Sequence, residues 1–142
     1  MDADTARAKL LTQHSRIRGH LDRCKLLAHQ LLAGGPVGLK LDVALAELRT
    51  DFIEHNATET SLVGPLLHGS PDWGAVLIDR MLEEHVAEHS AFWERMSGTV
   101  LEVAARIDDL VEELESHMAA EERTFLSPGV LRDDVIASHK RA

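Results

Sequence analysis

A chain of 142 residues, 44% hydrophobic and 27% charged, is sized for one domain with a buried core. Its formal charge of -9 argues against nucleic acid or an anionic membrane surface as partner, and no apolar run approaches the roughly 20 residues of a membrane span. Met1-Asp2-Ala3-Asp4 lacks the basic and apolar regions of a signal peptide and Cys24 has no second cysteine to pair with, so the expected location is the cytoplasm.

Few aromatics, no tyrosine and abundant Ala, Leu and Glu favour helix over sheet. Asp4 or Thr5 is the expected cap of a first helix over about 5–33. Its apolar stripe is Leu10, His14, Ile17, Leu21, Cys24, Ala28, Leu31, with intervals of three and four as in the seam of a bundle helix. Gly34-Gly35-Pro36 ends it. A second helix is expected over about 40–67, with stripe Leu41, Leu45, Leu48, Phe52, His55, Glu59, Leu62, Leu66. Gly64-Pro65 should kink or end that helix. Ser70 and Pro71 suit the cap and first residue of a third helix over about 73–96, with stripe Ile78, Leu82, His85, His89, Phe92, Met96. A fourth over about 100–126 carries Val100, Val103, Ile107, Leu110, Leu114, His117, Glu121 and Phe125. The tail, 129–142, reads as a short helix or a frayed end, and its Val130, Leu131, Val135 and Ile136 could dock on the helices.

Four amphipathic helices with short connections predict an all-α fold, an up-down-up-down antiparallel four-helix bundle. In such a bundle, residues equidistant from a connection lie at equal height. His14 and His55 centre on Gly34-Gly35, and Glu59 and His85 on Asp72, both within connections. His89 and His117 centre on Val103, about five residues past Ser97-Gly98, an offset of roughly 10–15 Å at 1.5 Å per residue. Either the third connection is longer than its punctuation suggests or those helices cross obliquely.

His55 and Glu59, His85 and His89, and His117 and Glu121 each stand four apart, so each pair leaves one helix face. One core histidine bonded to a carbonyl is commonplace, and a single His-x-x-x-Glu pair can simply stabilise a helix surface. Seven polar residues replacing apolar ones in four seams are another matter, because buried charges need partners. Imidazole with carboxylate suits iron, and less well zinc, manganese or copper. Two carboxylates suffice to bridge a metal pair. Five imidazoles then leave one of six terminal positions open for a small molecule.

His14, His55-x-x-x-Glu59, His85-x-x-x-His89-x-x-Phe92 and His117-x-x-x-Glu121-Glu122-x-x-Phe125-Leu126-x-Pro128 resemble the hemerythrin-like (HHE cation-binding) domain, from the first helix through Pro128. The resemblance implies one such domain over 1–142 and two iron ions in an oxo- or hydroxo-bridged non-haem centre that binds dioxygen or a related diatomic. It implies that His85, His89 and His117 hold one iron, that His14 and His55 hold the other, which keeps the open position, and that Glu59 and Glu121 bridge. Oxygen-carrying hemerythrins place the last acid five residues after the histidine, which falls here on Glu122; the wider HHE pattern and the seam favour Glu121. Thr60 stands where a second acid is usual, and Gly64-Pro65 partly replaces Phe-Pro. The His-x-x-x-His of the third helix is closer to true hemerythrins and favours dioxygen binding over enzymatic turnover. Other readings are an iron- or oxygen-responsive sensor or interaction module read by a protein partner, and a di-iron enzyme processing peroxide or nitric oxide.

The remaining candidates are expected to be bystanders. His20 and His29 leave other parts of the first helix, while His68 and His139 fall in a loop and the tail. Cys24 reads as a structural core thiol, and Trp93 and Met96 as packing beside the site.

Overall fold

The computed structural model describes residues 2–67 and 75–127, with side chains from Asp79 onward in the second stretch. The Ser70 cap, Pro71, the helix start at Trp73, the inward Ile78, His68, His139 and the tail therefore lie outside the described residues. Within them are five helices and no strand: α1 (Ala3–Leu32), α2 (Gly38–Leu67), α3 (Ala75–Arg95), α4 (Val100–Ala105) and α5 (Ile107–Arg123). α1 packs against α2, α4 and α5, and α2 also packs against α3 and α4. No described helix is long and apolar enough to cross a membrane.

The first cap differs from expectation. Asp2, in extended conformation, accepts a hydrogen bond from the Thr5 amide, so α1 begins before Asp4. The aspartate two residues earlier wins because its side chain reaches the third amide of the first turn. At the other end, Gly34 adopts φ 93°, the Gly35 amide donates to Gln30 O and the Gly34 amide to Leu31 O. Both bonds of a Schellman stop are present, and the glycine supplies the left-handed residue it needs.

α2 runs through Gly64-Pro65 without ending. Its seam changes there: after Glu59 the buried residues are Val63, Gly64 and Leu67, whereas the expected Leu62 and Leu66 are only half-buried. Successive steps of four, in place of four and three, carry the buried stripe around the helix by about 40° per step.

The largest departure is in the expected fourth helix, which is two helices joined at Arg106. α4 opens with a complete capping box: Thr99 Oγ1 accepts from the Glu102 amide, and the Glu102 carboxylate accepts from the Thr99 amide. At Arg106 the amide turns to Val103 O, and α5 restarts with Asp108 and Asp109 in its first turn. The Arg106 guanidinium donates to Arg95 O and Ser97 O, and Arg49 donates to Met96 O, so two arginines satisfy carbonyls at and just beyond the end of α3. The connection proper is short, residues 96–99, and α4 already packs against α1 and α2; His89 and His117 nonetheless meet at 3.2 Å between their Nε2 atoms.

Two apolar clusters fill the interior. The larger includes Ile17, Leu21, Cys24, Leu41, Leu48, Phe52, Phe92, Val103, Leu110 and Leu114. The smaller gathers Ala3, Leu10, Val63, Leu67, Phe125 and Leu126, where Arg7 Nε donates to Leu126 O at 2.6 Å. Leu21→Ala should lower unfolding stability by about 2–5 kcal/mol, while Leu26→Ala at an exposed site should change it by less than about 0.5 kcal/mol, as read by urea denaturation. Cys24 is fully buried, and burial raises its thiol to about 11. A disulfide reagent should therefore label the folded chain about 100-fold more slowly than the unfolded chain at neutral pH, from the thiolate fraction alone.

Candidate metal centre

A polar layer separates the two apolar clusters. α1 sets His14 between Leu10 and Ile17, and α2 sets His55 and Glu59 between Phe52 and Val63. α3 brings His85 and His89 in above Phe92, and α5 brings His117 and Glu121 between Leu114 and Phe125. All seven sequence candidates meet there. Two groups have ligand atoms within 4.8 Å of one another: His85, His89, His117 and Glu121, and His14, His55, Glu59 and Glu121.

Glu121 belongs to both groups. Its Oε1 lies 2.9 Å from His14 Nε2 and 3.4 Å from His55 Nε2, and its Oε2 lies 2.5 Å from His85 Nε2 and 2.9 Å from His117 Nε2. Glu59 spans the same divide, with Oε1 2.8 Å from His55 Nε2 and Oε2 3.5 Å from His85 Nε2. Two imidazole pairs converge through Nε2 at 3.2 Å, His14 with His55 and His89 with His117.

On three of the rings the opposite nitrogen faces outward to an acceptor. His55 Nδ1 is 3.0 Å from Gln13 Oε1, His85 Nδ1 is 3.2 Å from Met81 O, and His117 Nδ1 is 2.8 Å from Glu88 Oε2. A proton held at Nδ1 leaves Nε2 with a lone pair directed at the centre, the tautomer a metal ligand requires. Gln13 is itself fixed by donating to Thr58 Oγ1, which donates to Glu54 O.

Electrostatics divide the carboxylates. Burial pushes Glu121 up, but His117, His14, His55 and His85 outweigh it and hold this carboxyl well below its usual range. Burial and then the Glu121 charge raise Glu59 to about 7 against the pull of His55. Two carboxylates in one buried site do not ionise equally. Burial pulls His55 down, yet Glu121 and Glu59 together lift it to about 9. His89 falls to about 3 through burial and the charges of His117 and His85, so its ring is neutral.

These residues fit a metal pair. Glu59 Oε1 is buried and, despite His55 Nε2 at 2.8 Å, has no aligned hydrogen-bond donor among the described residues. Lone pairs that converge without a proton between them are what a shared cation satisfies. The donor set, imidazole nitrogen with carboxylate oxygen, suits first-row transition metals. Access is unequal: His14, His55, Glu59 and Glu121 are sealed, while His85 and His117 keep 16% and 13% exposure. A cavity of about 350 Å³ lined by Phe52, Phe92 and Leu114 reaches His89 and His117 from the α3–α5 side.

Glu122 stays outside the cluster of Nε2 atoms, with its Oε2 3.7 Å from His14 Nδ1. Its two oxygens take Arg18 Nη1 and Nη2 at 3.0 and 2.6 Å, and this pairing holds its carboxyl low. His20 lies 2.7 Å from Asp51 and His29 lies 2.8 Å from Asp108, both away from the centre. Gln13, Thr58 and Glu88, which orient the ligand-like groups, are missing from the sequence-based set. Each directly precedes a candidate (His14, Glu59, His89), but no spacing rule distinguishes such neighbours from ordinary surface polarity.

No curated protein and no solved structure matches this chain. Residues 5–128 match the family described as Hemerythrin HHE cation binding domain. The match spans all five helices and every residue of the polar layer, and the chain belongs to the hemerythrin HHE cation-binding domain family.

Proposed function

We propose that this chain is an up-down-up-down antiparallel four-helix bundle housing a non-haem di-iron centre that binds dioxygen or a related diatomic. In this reading His85, His89 and His117 hold one iron, His14 and His55 hold the other, and Glu59 and Glu121 bridge. The observation that carries it is the double allegiance of Glu121 and Glu59, each of which turns one oxygen to each half of the layer. Iron held there would supply redox chemistry for reversible capture of the diatomic.

The protein's own groups do the rest. Gln13 and Glu88 fix the rings of His55 and His117, so their Nε2 atoms need little reorganisation to meet a metal. Leu10, Ile17 and Phe52 exclude bulk water from the His14–His55 side, which slows irreversible oxidation there. Phe52 packs edge-on against His89 at 5.0 Å between ring centres and limits its rotation.

A second reading draws on the α3–α5 cavity. At about 350 Å³ it exceeds what a diatomic needs and falls in the range of small-molecule sites, which favours a di-iron enzyme with an organic or peroxide substrate approaching His89 and His117.

The first test is metal content with a visible spectrum, anaerobically, then in air, then under vacuum. The expected result is two irons per chain and a charge-transfer band that appears in air and reverses. Two irons with no reversible band, together with sustained turnover of peroxide, would favour the enzyme. No iron after anaerobic reconstitution would overturn both readings. Ligand variants sharpen this: His117→Ala and His55→Ala should each lose the paired-iron spectrum, whereas His20→Ala should keep full iron content.

A further inference from the structure

α2 carries a second seam on the face it turns away from the core. Its inward residues are Leu41, Leu45, Leu48, Phe52, His55 and Glu59. Two positions before each stand Leu39, Val43, Ala46, Thr50, Ile53 and Ala57, all exposed. Two residues are about 200° of helix, so this set occupies the opposite face with the same alternation of four and three. The seam runs about 27 Å, and Leu39, Val43 and Ile53 are 83%, 54% and 57% exposed. Thr50 adds to its apolar character, because its hydroxyl donates back to Ala46 O and leaves the methyl outward.

We propose that this face binds the same face of a second copy of the chain, with the two α2 helices antiparallel about a two-fold axis. The sequence is self-complementary in that register. Leu39 meets the partner's Ala57, Val43 the partner's Ile53, and Ala46 the partner's Thr50, so each large residue faces a small or β-branched one. An isologous contact needs this reciprocity.

The flanking charges complement one another in the antiparallel arrangement. Lys40 and Glu54 are exposed and have no ion-pair partner among the described residues. Both lie beside the seam on one flank, and the register sets Lys40 opposite the partner's Glu54 twice, by symmetry. Two like pairs fall near the axis, Glu47 with the partner's Glu47 and Arg49 with the partner's Arg49. Both are occupied within their own chain: Glu47 lies 3.6 Å from Arg23, and Arg49 donates to Met96 O at 2.9 Å. A parallel pairing would leave Lys40 without a charged partner, setting Asp42 against the partner's Glu47 and Arg49 against the partner's Glu54.

The test is sedimentation equilibrium of the full chain from about 1 µM to about 1 mM, the range in which small interfaces associate. The mass should rise from 15.7 kDa toward twice that value. Val43→Glu and Ile53→Glu should each weaken association at least about tenfold, with unchanged helical content and iron binding, since both sites are exposed. Lys40→Glu should weaken it, and Lys40→Glu combined with Glu54→Lys should restore it. A monomer at every concentration, or association indifferent to Val43→Glu, overturns the proposal. Failure of the double reversal overturns the antiparallel register, because in a parallel pair it sets Lys against the partner's Arg49.

Discussion

The Glu121 carboxylate, 2% exposed, is met by imidazoles from α1, α2, α3 and its own helix. A single negative charge at that depth is strongly unfavourable without partners, and its four neighbours come from segments as much as 107 residues apart. The interaction therefore specifies how the helices rotate about their axes. A turn of one residue on any of them, about 100°, would replace the imidazole facing the carboxylate with a neighbour such as Ser15, Asn56, Val86 or Met118. Hydrophobic burial drives the helices together; this contact decides which faces meet.

The apolar clusters on either side give the polar layer its character. With Leu10, Val63 and Phe125 at one end and Ile17, Phe52 and Leu114 at the other, water has little route along the bundle axis. In the resulting low dielectric, small differences of environment become large differences of protonation. Glu121 stays ionised, Glu59 rises to about 7, and His89 is neutral beside a His55 lifted to about 9. The same seclusion preserves whatever is bound on the His14–His55 side, while the α3–α5 side remains open to exchange.

Much of this was legible in the sequence because the two signals share one period. Residues such as His55 and Glu59 interrupt the apolar stripe without breaking its spacing, so the inward face and the polar layer can be read together. The same period picks out Glu121, which is buried in the layer, whereas its neighbour Glu122 pairs with Arg18. Arg106 was not legible. Val103, Ile107 and Leu110 keep steps of four and three across it, so periodicity conceals a break made by backbone turning. Asp108-Asp109, which reads as a solvated face, also marks the first turn of α5. The bond from Gln13 to His55 joins residues 42 apart, and such pairings arise only once helices pack.

Arg106 also determines what a change of chain length would disturb. Its guanidinium ties the start of α5 to the end of α3 through Arg95 O and Ser97 O. A residue inserted between Thr99 and Arg106 would turn the buried Val103 and Ala104 away from the core but, lying ahead of that tie, would leave His117 and Glu121 in register with His85 and His89. A residue inserted between Ile107 and His117 would carry both side chains about 100° around the helix and about 1.5 Å along it. A change of length thus disturbs core packing on one side of a single arginine and the polar layer on the other, although both sides are helical and equally regular in sequence.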